Sequence, residues 1–558
     1  MKIVDLNGYQ PNALFEADLC IVGSGPAGLS IANEFVGSDI RVLILEGGGA
    51  VDEPDTQALY DIENTGAHRQ TDQYLLRRRI LGGTSHIWTG RCAPFDDIDF
   101  EQRWWIPWSG WPLTLQDFAA YFERAGAYLG LGPNRYDESL WRSFEVQPPQ
   151  PPLDSPSLRP MFWQFSKRRH NREPMRFGQD WVAADAPNIE ILLHANATHI
   201  DLKDGGTRFE AIEVSTLGGK RSRVKARTAV LCCGSIENAR LLLASNRVYG
   251  KGVGNQNDLV GRFLMDHTSI AIGSFDPSHA TAVRSRFGGY WLDDDHRRHR
   301  YLHGLALSRE EQEKQQLLNC KAYLDEGQAA AGDPWGALKR LSSSVSRKGN
   351  AGHDASLLLH NIGEIGRGLY RRYAKHRPEL GPVQSVALEL ILEQAPDPES
   401  RMTLSNDKKD ALGMPLSSLH WKIGELERTT AKRVAGLISE EFKHLRLPAP
   451  RDPPQLDEQS DWAALFFDRA HPAGTTRMSR NSHQGVVDEN CQVHDVQGLF
   501  VSGSSVFPTS GAVNPTLMIV ASALRLADFL KTCNVLVALF VVATVFALVA
   551  RLTVGRGP

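Results

Sequence analysis

Four residues of the sequence have the types and the spacing that bind a dinucleotide. Gly23, Gly25 and Gly28 form a GxGxxG turn, and Glu46 follows it after about 20 residues. The glycines permit a tight turn, a close approach of backbone to pyrophosphate and the packing of helix on strand, while the acid accepts hydrogen bonds from ribose hydroxyls. Glu46 favours a free ribose 2′-hydroxyl, which FAD and NAD both carry. The turn therefore predicts a dinucleotide site without choosing between these cofactors.

A histidine and an asparagine form a second set of candidates, far along the chain. His471 begins the segment HPAGTTRM, and Asn514 precedes Pro515 and Thr516. Histidine suits a general base because its pKa lies close to neutral pH. Taken alone, a histidine is more often structural, and an asparagine before a helical pattern is equally well explained as an N-cap.

Two further segments contain glycine and hydroxyl side chains. Gly83 and Ser85 belong to the segment LGGTSHIWTG, which could cradle a phosphate or let the backbone approach a flat ring, although an ordinary turn explains it equally well. Gly503 and Ser504 begin the segment GSSVFPT, which is read as the end of a strand followed by a loop and the start of a helix.

The glycine turn lies between predicted regular elements. Residues 18–23 predict an apolar strand, a helical pattern then continues through Phe35, and residues 41–45 predict a second strand that ends at Glu46. This order brings the helix N-terminus, which favours negative charge, to the phosphates of a bound dinucleotide.

The second set of candidates also lies at the ends of predicted elements. Residues 498–506 predict a strand, residues 507–515 a loop and residues 517–530 a helix. The middle of the chain is less regular, and there we expect a helix over residues 311–324 and a flexible loop over residues 349–354.

Charge and cysteine usage exclude several classes of protein. The formal net charge of the 558 residues is -3, so nothing suggests binding to nucleic acid. The 7 cysteines are scattered, without spacing for zinc, iron–sulfur clusters or attached haem, so we expect no metal site and a reducing compartment. The N-terminal residues contain no apolar stretch long enough for a signal peptide, which favours a cytoplasmic catalytic part.

The segment VLVALFVVATVFALVA, residues 535–550, carries no charge and no proline. It is a little shorter than the run of about 20 apolar residues that a spanning helix needs, unless the following residues join it. We expect a C-terminal hydrophobic helix that associates the protein with a membrane. A buried terminal helix and an oligomer contact are the alternatives.

The order and wording of several motifs resemble the glucose–methanol–choline (GMC) oxidoreductases, in a branch similar to bacterial sugar and polyol dehydrogenases. The matching segments are GSGPAG, LGGTSHIWTGR, SGWPLT, LCCGSIENARLLLAS, DLVGRFLMDH, EQAPDPESRMTLS, HPAGTTRM and the long segment from VDENCQVHD to ALRLAD. The resemblance covers both ends of the chain and much between, whereas residues 276–385 match nothing that we can name.

The resemblance implies an α/β fold with two lobes. One is a Rossmann-like FAD-binding lobe that is discontinuous in sequence, and the other is a substrate lobe built on a second β-sheet. The predicted FAD-binding segments are residues 1–130, 191–267 and 468–531. The predicted substrate-lobe segments are residues 131–190 and 268–467.

The resemblance also implies roles for the candidate residues. His471 matches the family's active-site histidine, and Asn514 matches the second active-site position. The residues assigned to the FAD site are Gly23, Gly25, Gly28, Glu46, Gly83, Ser85, Gly503, Ser504, Pro515 and Thr516. Some relatives attach FAD through a histidine directly before a tryptophan; here Ile87 takes that place and His86 comes one position earlier, so we expect non-covalent FAD.

The implied reaction is the transfer of a hydride from a CH–OH group of a sugar, polyol or other alcohol to flavin N5, with His471 as base. The electrons then pass to a quinone, a cytochrome or oxygen, and a membrane segment favours a quinone-linked dehydrogenase over an oxidase. An NAD(P)-dependent dehydrogenase, a FAD-fold lyase or isomerase without net oxidation, and a non-catalytic binding protein are the alternatives.

Overall fold

The computed structural model describes residues 1–67, 69, 73–144, 146–168, 173–182, 185–294, 297–328, 370, 380 and 383–533. The predicted loop over residues 349–354 and the apolar segment 535–550 lie outside the described residues. In the part of the chain that is described, no helix is both long enough and apolar enough to cross a membrane.

The helices are short until late in the chain. In order they are α1 (Pro26–Asn33), α2 (Pro54–Ala58), α3 (Gln73–Leu76), α4 (Asp97–Phe100), α5 (Ala119–Leu129), α6 (Leu140–Ser143), α7 (Phe177–Asp180), α8 (Ser235–Ala244), α9 (Thr281–Arg286), α10 (Arg309–Gln315), α11 (Glu425–His444) and α12 (516–533). The predicted helices after the glycine turn and after Pro515 are α1 and α12.

The strands make up most of the regular structure. In chain order they are β1 (Lys2–Asp5), β2 (Leu14–Val22), β3 (Val42–Leu45), β4 (Ile62–Asn64), β5 (Arg91–Cys92), β6 (Leu158–Phe165), β7 (Ile189–Leu193), β8 (Asn196–Lys203), β9 (Arg208–Ser215), β10 (Arg221–Leu231), β11 (Thr268–Phe275), β12 (Gly289–Asp294), β13 (Arg297–Leu307), β14 (Cys320–Gln328), β15 (Val383–Leu392), β16 (Arg401–Lys409), β17 (Pro415–His420), β18 (Phe467–Asp468) and β19 (Leu499–Val501).

The first sheet has the order β1-β7-β3-β2-β10-β9-β8, with β19 pairing β10. The pairs that link β1, β7, β3, β2, β10 and β19 are parallel, and β8–β9–β10 form an antiparallel meander. Every residue of β3 is buried, as expected for a strand covered on both faces of a parallel sheet. Ligands bind beyond the carboxyl ends of such strands, and both the glycine turn and Glu46 lie there.

The second sheet has the order β18-β11-β15-β14-β13-β6-β5, with β12 pairing β13. All of its pairs are antiparallel, and α11 packs against β11, β14 and β15. The expected α/β fold, with a nucleotide-binding sheet assembled from distant segments and a second β-sheet, is confirmed. The residue limits of the two lobes stay a prediction.

The helix expected over residues 311–324 is only partly right. Helix α10 begins after Ser308, whose Oγ accepts a hydrogen bond from the Glu311 amide, and it ends before Gln316, which has a φ of 57°. Residues from Cys320 onward form β14, which pairs with β15 along its whole length. In β14, Cys320, Ala322 and Leu324 alternate into one apolar cluster, so sheet pairing determines a segment whose spacing looked helical.

Candidate active site

A cavity of about 480 Å³ connects the glycine turn with His471 and Asn514. Its volume lies within the range of about 300–1,000 Å³ that is usual for ligand pockets. The predicted site residues that line it are Gly23, Gly25, Glu46, Gly83, Ser85, His471, Gly503, Ser504, Asn514, Pro515 and Thr516. The fold therefore brings together candidates that lie almost 500 positions apart in the sequence.

Two of the three glycines in the turn pack so closely against other protein atoms that no side chain would fit. Gly23 has a φ of 104°, and a Cβ added there would lie 2.6 Å from the Cys232 carbonyl oxygen. A Cβ on Gly28 would overlap the Gly23 carbonyl oxygen, so this glycine lets α1 pack closely on β2. At Gly25, by contrast, an added Cβ would meet no protein atom within 4 Å. This open backbone at the start of α1 suits a pyrophosphate.

Glu46 is a buried carboxylate whose oxygens are held by the turn itself. It accepts hydrogen bonds from the backbone N–H of Ser24 at 3.2 Å, from Ser24 Oγ at 2.5 Å and from the Gly48 N–H at 2.9 Å. Burial raises its pKa, although these hydrogen bonds and Arg79 oppose the shift. Two carboxylate oxygens offer about four acceptor positions, so Glu46 can still accept from a ribose hydroxyl.

The loop containing Gly83 and Ser85 is bonded to the same turn. The Gly82 N–H donates to Ser24 Oγ at 3.0 Å, and a Cβ on Gly83 would approach the Gly25 Cα to 3.1 Å. Ser85 Oγ donates to the Gly82 carbonyl and accepts from the Phe177 N–H. The structure thus gives Ser85 a role in shaping the loop.

Backbone hydrogen bonds join the segment after His471 to the turn after Gly503. The N–H groups of Gly474, Thr476 and Met478 donate to the carbonyls of Ser504, Ser505 and Val506, respectively. In addition, Ser504 Oγ donates to the Pro472 carbonyl at 2.7 Å. This pairing explains why two loops that are separate in sequence line the same cavity.

His471 is fixed through its backbone by Asp266. The Asp266 Oδ1 atom accepts from the N–H groups of Arg469 at 3.2 Å and His471 at 2.9 Å. Between them, Ala470 has a φ of 59°, a left-handed conformation that costs energy for a residue with a side chain. The two hydrogen bonds to Asp266 hold this strained turn and set the direction of the His471 side chain.

Arg69 compensates the charge of Asp266 and of a second buried acid. Its Nη2 lies 2.7 Å from Asp266 Oδ2 and 2.8 Å from Asp468 Oδ2, and all three side chains are almost fully buried. Removing the cation would leave two buried carboxylates without compensation. Breaking a buried pair in this way typically costs about 3–5 kcal/mol.

We therefore expect Arg69→Met to lower the free energy of unfolding by about 3–5 kcal/mol, measured by denaturant and thermal unfolding. The matched control is Lys2→Met, which removes the exposed ion pair of Lys2 with Glu190 and should leave the free energy of unfolding nearly unchanged. Burial raises the pKa of Asp468, so the penalty of Arg69→Met should shrink as the pH falls and this acid protonates. An Arg69→Met variant as stable as the control would contradict the assignment.

The ring of His471 has a polar neighbour at each nitrogen. Nδ1 lies 3.0 Å from His267 Nδ1, and Nε2 lies 3.5 Å from Asn514 Nδ2. The Asn514 amide therefore faces His471, and within the described residues it makes no capping hydrogen bond to α12. Burial lowers the pKa of His471 well below its usual range, and His267, Arg469 and Arg91 lower it further.

The wall of the cavity near His471 is polar. Arg469 is ion-paired with Glu389, and it donates to Tyr323 Oη at 2.6 Å. The Arg91 guanidinium lies 4.2 Å from the centre of the Tyr323 ring and makes no ion pair with any described residue. Asp325 also lines the cavity. The charges of this wall bear on both the pKa of His471 and the choice of ligand.

Sequence reasoning missed Asp266, His267, Arg69 and Arg91 as parts of the site. Asp266 and His267 end the segment DLVGRFLMDH, which carries part of the resemblance but gave no role to either residue. No local pattern marks a residue whose function is to contact another one about 200 positions away. Within the described residues, no group of three or more His, Cys, Asp or Glu could hold a metal ion.

Comparison with known families gives two matches. Models described as GMC oxidoreductase match residues 177–269 and residues 396–523. These ranges include Asp266 and His267 in the first match, and His471 and Asn514 in the second.

Three characterised proteins are similar along nearly the whole chain. The C-glycoside 3-oxidase of Microbacterium trichothecenolyticum is 32% identical over 91% of this chain and 95% of its own. The 2-methyl-1,2-propanediol dehydrogenase of Mycolicibacterium austroafricanum is 23% identical, over 92% and 95%. The fructose dehydrogenase large subunit of Gluconobacter japonicus is 23% identical, over 93% and 98%.

Two solved structures share the fold. A formate oxidase superposes with a TM-score of 0.55 at 17% sequence identity, covering 94% of this chain and 99% of that one. Pyridoxine 4-oxidase from Mesorbium loti gives 0.51 at 18% identity, with coverages of 92% and 98%. At these identities the likeness concerns the fold alone.

Proposed function

The chain belongs to the GMC oxidoreductase family and its cofactor is FAD, and on this premise we propose that it is a dehydrogenase of sugars or polyols with His471 as its base. The observation that carries the proposal is the pair of His471 Nε2 and the Asn514 amide in one cavity with the dinucleotide turn. A protein that only binds a ligand does not require a basic ring nitrogen beside an amide group in its cavity.

The glycine turn and the acid after β3 fit FAD. Gly23 and Gly28 keep α1 close to β2, Gly25 leaves the backbone at the start of α1 open, and Glu46 keeps an acceptor position for the ribose. Gly83, Ser85, Gly503, Ser504, Pro515 and Thr516 line the same cavity and would surround the bound cofactor. Bound FAD would supply the acceptor for the two electrons of an alcohol oxidation.

His86, the candidate for covalent attachment, is engaged elsewhere. Its Nε2 lies 2.8 Å from the Leu81 carbonyl oxygen, and the residue is not part of the cavity wall. We therefore propose that FAD is held without a covalent bond, so that acid denaturation should release all of the flavin into solution.

His471 and Asn514 divide the work on the substrate hydroxyl. His471 accepts the hydroxyl proton at Nε2 as alkoxide character develops, because burial and nearby cations keep its ring neutral. Asn514 donates an amide hydrogen to the same oxygen and so holds the carbinol carbon in place. After oxidation the proton remains on His471 until it is released to solvent.

The lowered pKa of His471 determines the pH dependence that we expect. The base must be neutral, so the rate should fall only when the pH drops below the pKa of His471, which lies well under the ordinary value of about 6.5. Anaerobic flavin reduction at saturating substrate should therefore be nearly constant from about pH 6.5 to pH 8. An acid limb centred at or above pH 6.5 would show that another group controls the rate.

A polar wall supports a polyhydroxylated substrate. Arg91 offers N–H donors, Asp325 offers carboxylate acceptors, and both line the cavity that holds His471. Paired donors and acceptors of this kind suit adjacent hydroxyl groups. The relatives named for a C-glycoside, a propanediol and fructose support the same class.

The decisive experiment is an anaerobic screen of sugars, polyols and simple alcohols against the yellow holoenzyme. We expect at least one sugar or polyol to bleach the flavin absorbance and to yield one carbonyl product per flavin. Product formation without bleaching would instead indicate lyase or isomerase chemistry. If no member of the screen bleaches the flavin, the proposal fails.

The electron acceptor that reoxidises the flavin is a separate part of the proposal. The apolar composition of residues 535–550 supports a membrane-associated protein with a quinone as acceptor, and we propose a cytoplasmic catalytic part. The C-glycoside 3-oxidase relative favours oxygen as the alternative. Mixing the reduced enzyme with a soluble ubiquinone analogue or with oxygen separates the two, and faster reoxidation by oxygen would make the protein an oxidase.

A further inference from the structure

His267 contacts the ring nitrogen of His471 that does not face Asn514. Its own ring is almost fully buried, with Nδ1 lying 3.0 Å from His471 Nδ1 and Nε2 lying 3.0 Å from the Ser510 carbonyl oxygen. The two rings meet edge to face, with an interplanar angle of 81°. His267 is thus part of a continuous line of contacts that ends at the candidate base.

The hydrogen positions along this line follow from the kinds of atom involved. A carbonyl oxygen can only accept, so His267 Nε2 must carry a hydrogen. In a neutral imidazole the other nitrogen is then bare, and His267 Nδ1 can only accept. The hydrogen between the two rings therefore belongs to His471 Nδ1, which leaves His471 Nε2 bare towards Asn514.

We propose that His267 is a positioning residue that fixes His471 in the Nδ1–H tautomer, so that Nε2 is always the basic nitrogen in the cavity. Its neighbour Asp266 fixes the backbone of His471, while His267 fixes the ring. Two consecutive residues thus determine both the place and the protonation pattern of the base. The kinetic consequences rest on the proposed function, whereas the tautomer itself does not.

The Nδ1–H tautomer of His471 requires a neutral His267, and the surroundings of His267 favour that form. Burial lowers its pKa, against the influence of Asp266, of the backbone carbonyls of Ser510 and Gly511 and of Glu393. Those two acids are each paired with an arginine, Asp266 with Arg69 and Glu393 with Arg103. Arg469 and Arg91 lower the pKa of His471, which favours the neutral form of that ring as well.

A neutral imidazole can select the tautomer of His471 without raising its pKa, which a carboxylate partner would do. A carboxylate would also accept from Nδ1–H, but its charge would raise the pKa of His471 and favour the protonated ring. His267 selects the tautomer without that charge. When His471 accepts the substrate's hydroxyl proton at Nε2, its Nδ1 hydrogen stays in place and its bond to His267 becomes charge-assisted.

The first test reads the tautomer directly by nitrogen NMR of the holoenzyme labelled with [15N]histidine. The His471 signals are assigned by their loss in a His471→Ala sample. We expect the wild type to show a protonated Nδ1 and a bare Nε2, and His267→Leu to show the opposite tautomer or a mixture. A wild-type His471 protonated at Nε2, or a His267→Leu spectrum like wild type, would overturn the proposal.

The second test compares His267→Asn with His267→Leu, which removes the acceptor, and with the nearly isosteric His267→Asp, which adds a charge. His267→Asn keeps an acceptor for Nδ1–H and should retain most of the rate of flavin reduction, whereas His267→Leu should lose about 10²-fold. His267→Asp should move the acid limb of the rate at least about one pH unit above that of His267→Asn. Equal acid limbs, or equal rates in Leu and Asn variants, would contradict the assignment.

Flavin content and melting temperature are measured for every variant, so that a folding defect is recognised. If no alcohol reduces the wild-type flavin, the proposed function fails while the NMR result still decides the tautomer. If the flavin is reduced but the tautomer is the opposite one, only the role of His267 fails.

Discussion

Exchange of His471 for alanine is expected to slow the reduction of the flavin by substrate about 10²–10⁴-fold while leaving FAD bound. The side chain lines the cavity, and its removal takes away the acceptor of the hydroxyl proton. Asn514 alone can donate a hydrogen bond but cannot accept that proton at neutral pH. The loss should therefore appear in the rate of reduction more than in substrate affinity.

The measurement is anaerobic stopped-flow mixing with a substrate found in the screen, following the flavin absorbance. His420→Ala is a matched control, because His420 is an exposed histidine whose ring makes one hydrogen bond with the described residues, to the Thr65 carbonyl. The control should react as the wild type does. A His471→Ala variant that keeps both its yellow flavin and its full rate of reduction would remove His471 from the mechanism.

Gly28→Ala is expected to weaken FAD binding by about 10–100-fold and to lower the melting temperature. The added methyl group would overlap the Gly23 carbonyl oxygen, and the side chain of Ile21 lies only 3.2 Å from its position. Helix α1 must then move away from β2, which is overpacking of a kind that typically costs about 1–3 kcal/mol. Because the turn moves with the helix, the N–H groups that face the pyrophosphate move as well.

Two other glycines separate the parts of this effect. Gly25→Ala meets no protein atom within 4 Å, so it should fold normally and lose affinity only through contact with FAD. Gly436→Ala, on the exposed face of α11, should keep FAD affinity and gain up to about 1 kcal/mol in stability. FAD titration of each apoprotein by fluorescence provides the affinities. A Gly28→Ala variant with wild-type affinity and melting temperature would contradict the packing argument.

The dinucleotide-binding part of the site was predictable because its features depend on residues that are close together in the sequence. Strand, turn, helix and acid follow one another between β2 and Glu46, and each step has its own sequence signal. The structure needed to add only the Ser24 hydroxyl, which ties Glu46 to Gly82.

For the catalytic part of the site, the sequence predicted the residues but not how the fold brings them together. His471 and Asn514 were found through resemblance, and their meeting depends on backbone pairing between the segments that follow His471 and Gly503. The residues behind them, Asp266 and His267, act through contacts across about 200 positions, which no periodicity encodes. In the same way, β14 is a strand because it pairs with β15, and the sequence of residues 311–324 does not by itself reveal this pairing.

The contribution of β19 to the first sheet has a consequence for the order of biosynthesis. This strand pairs with β10, and like His471 and Asn514 it is translated after residue 470. A growing chain on the ribosome therefore carries the glycine turn and Glu46 long before the cavity that they line can close. Domains generally fold from the N-terminus as synthesis proceeds, whereas this nucleotide-binding sheet acquires β19 only after Val501 has been added to the chain.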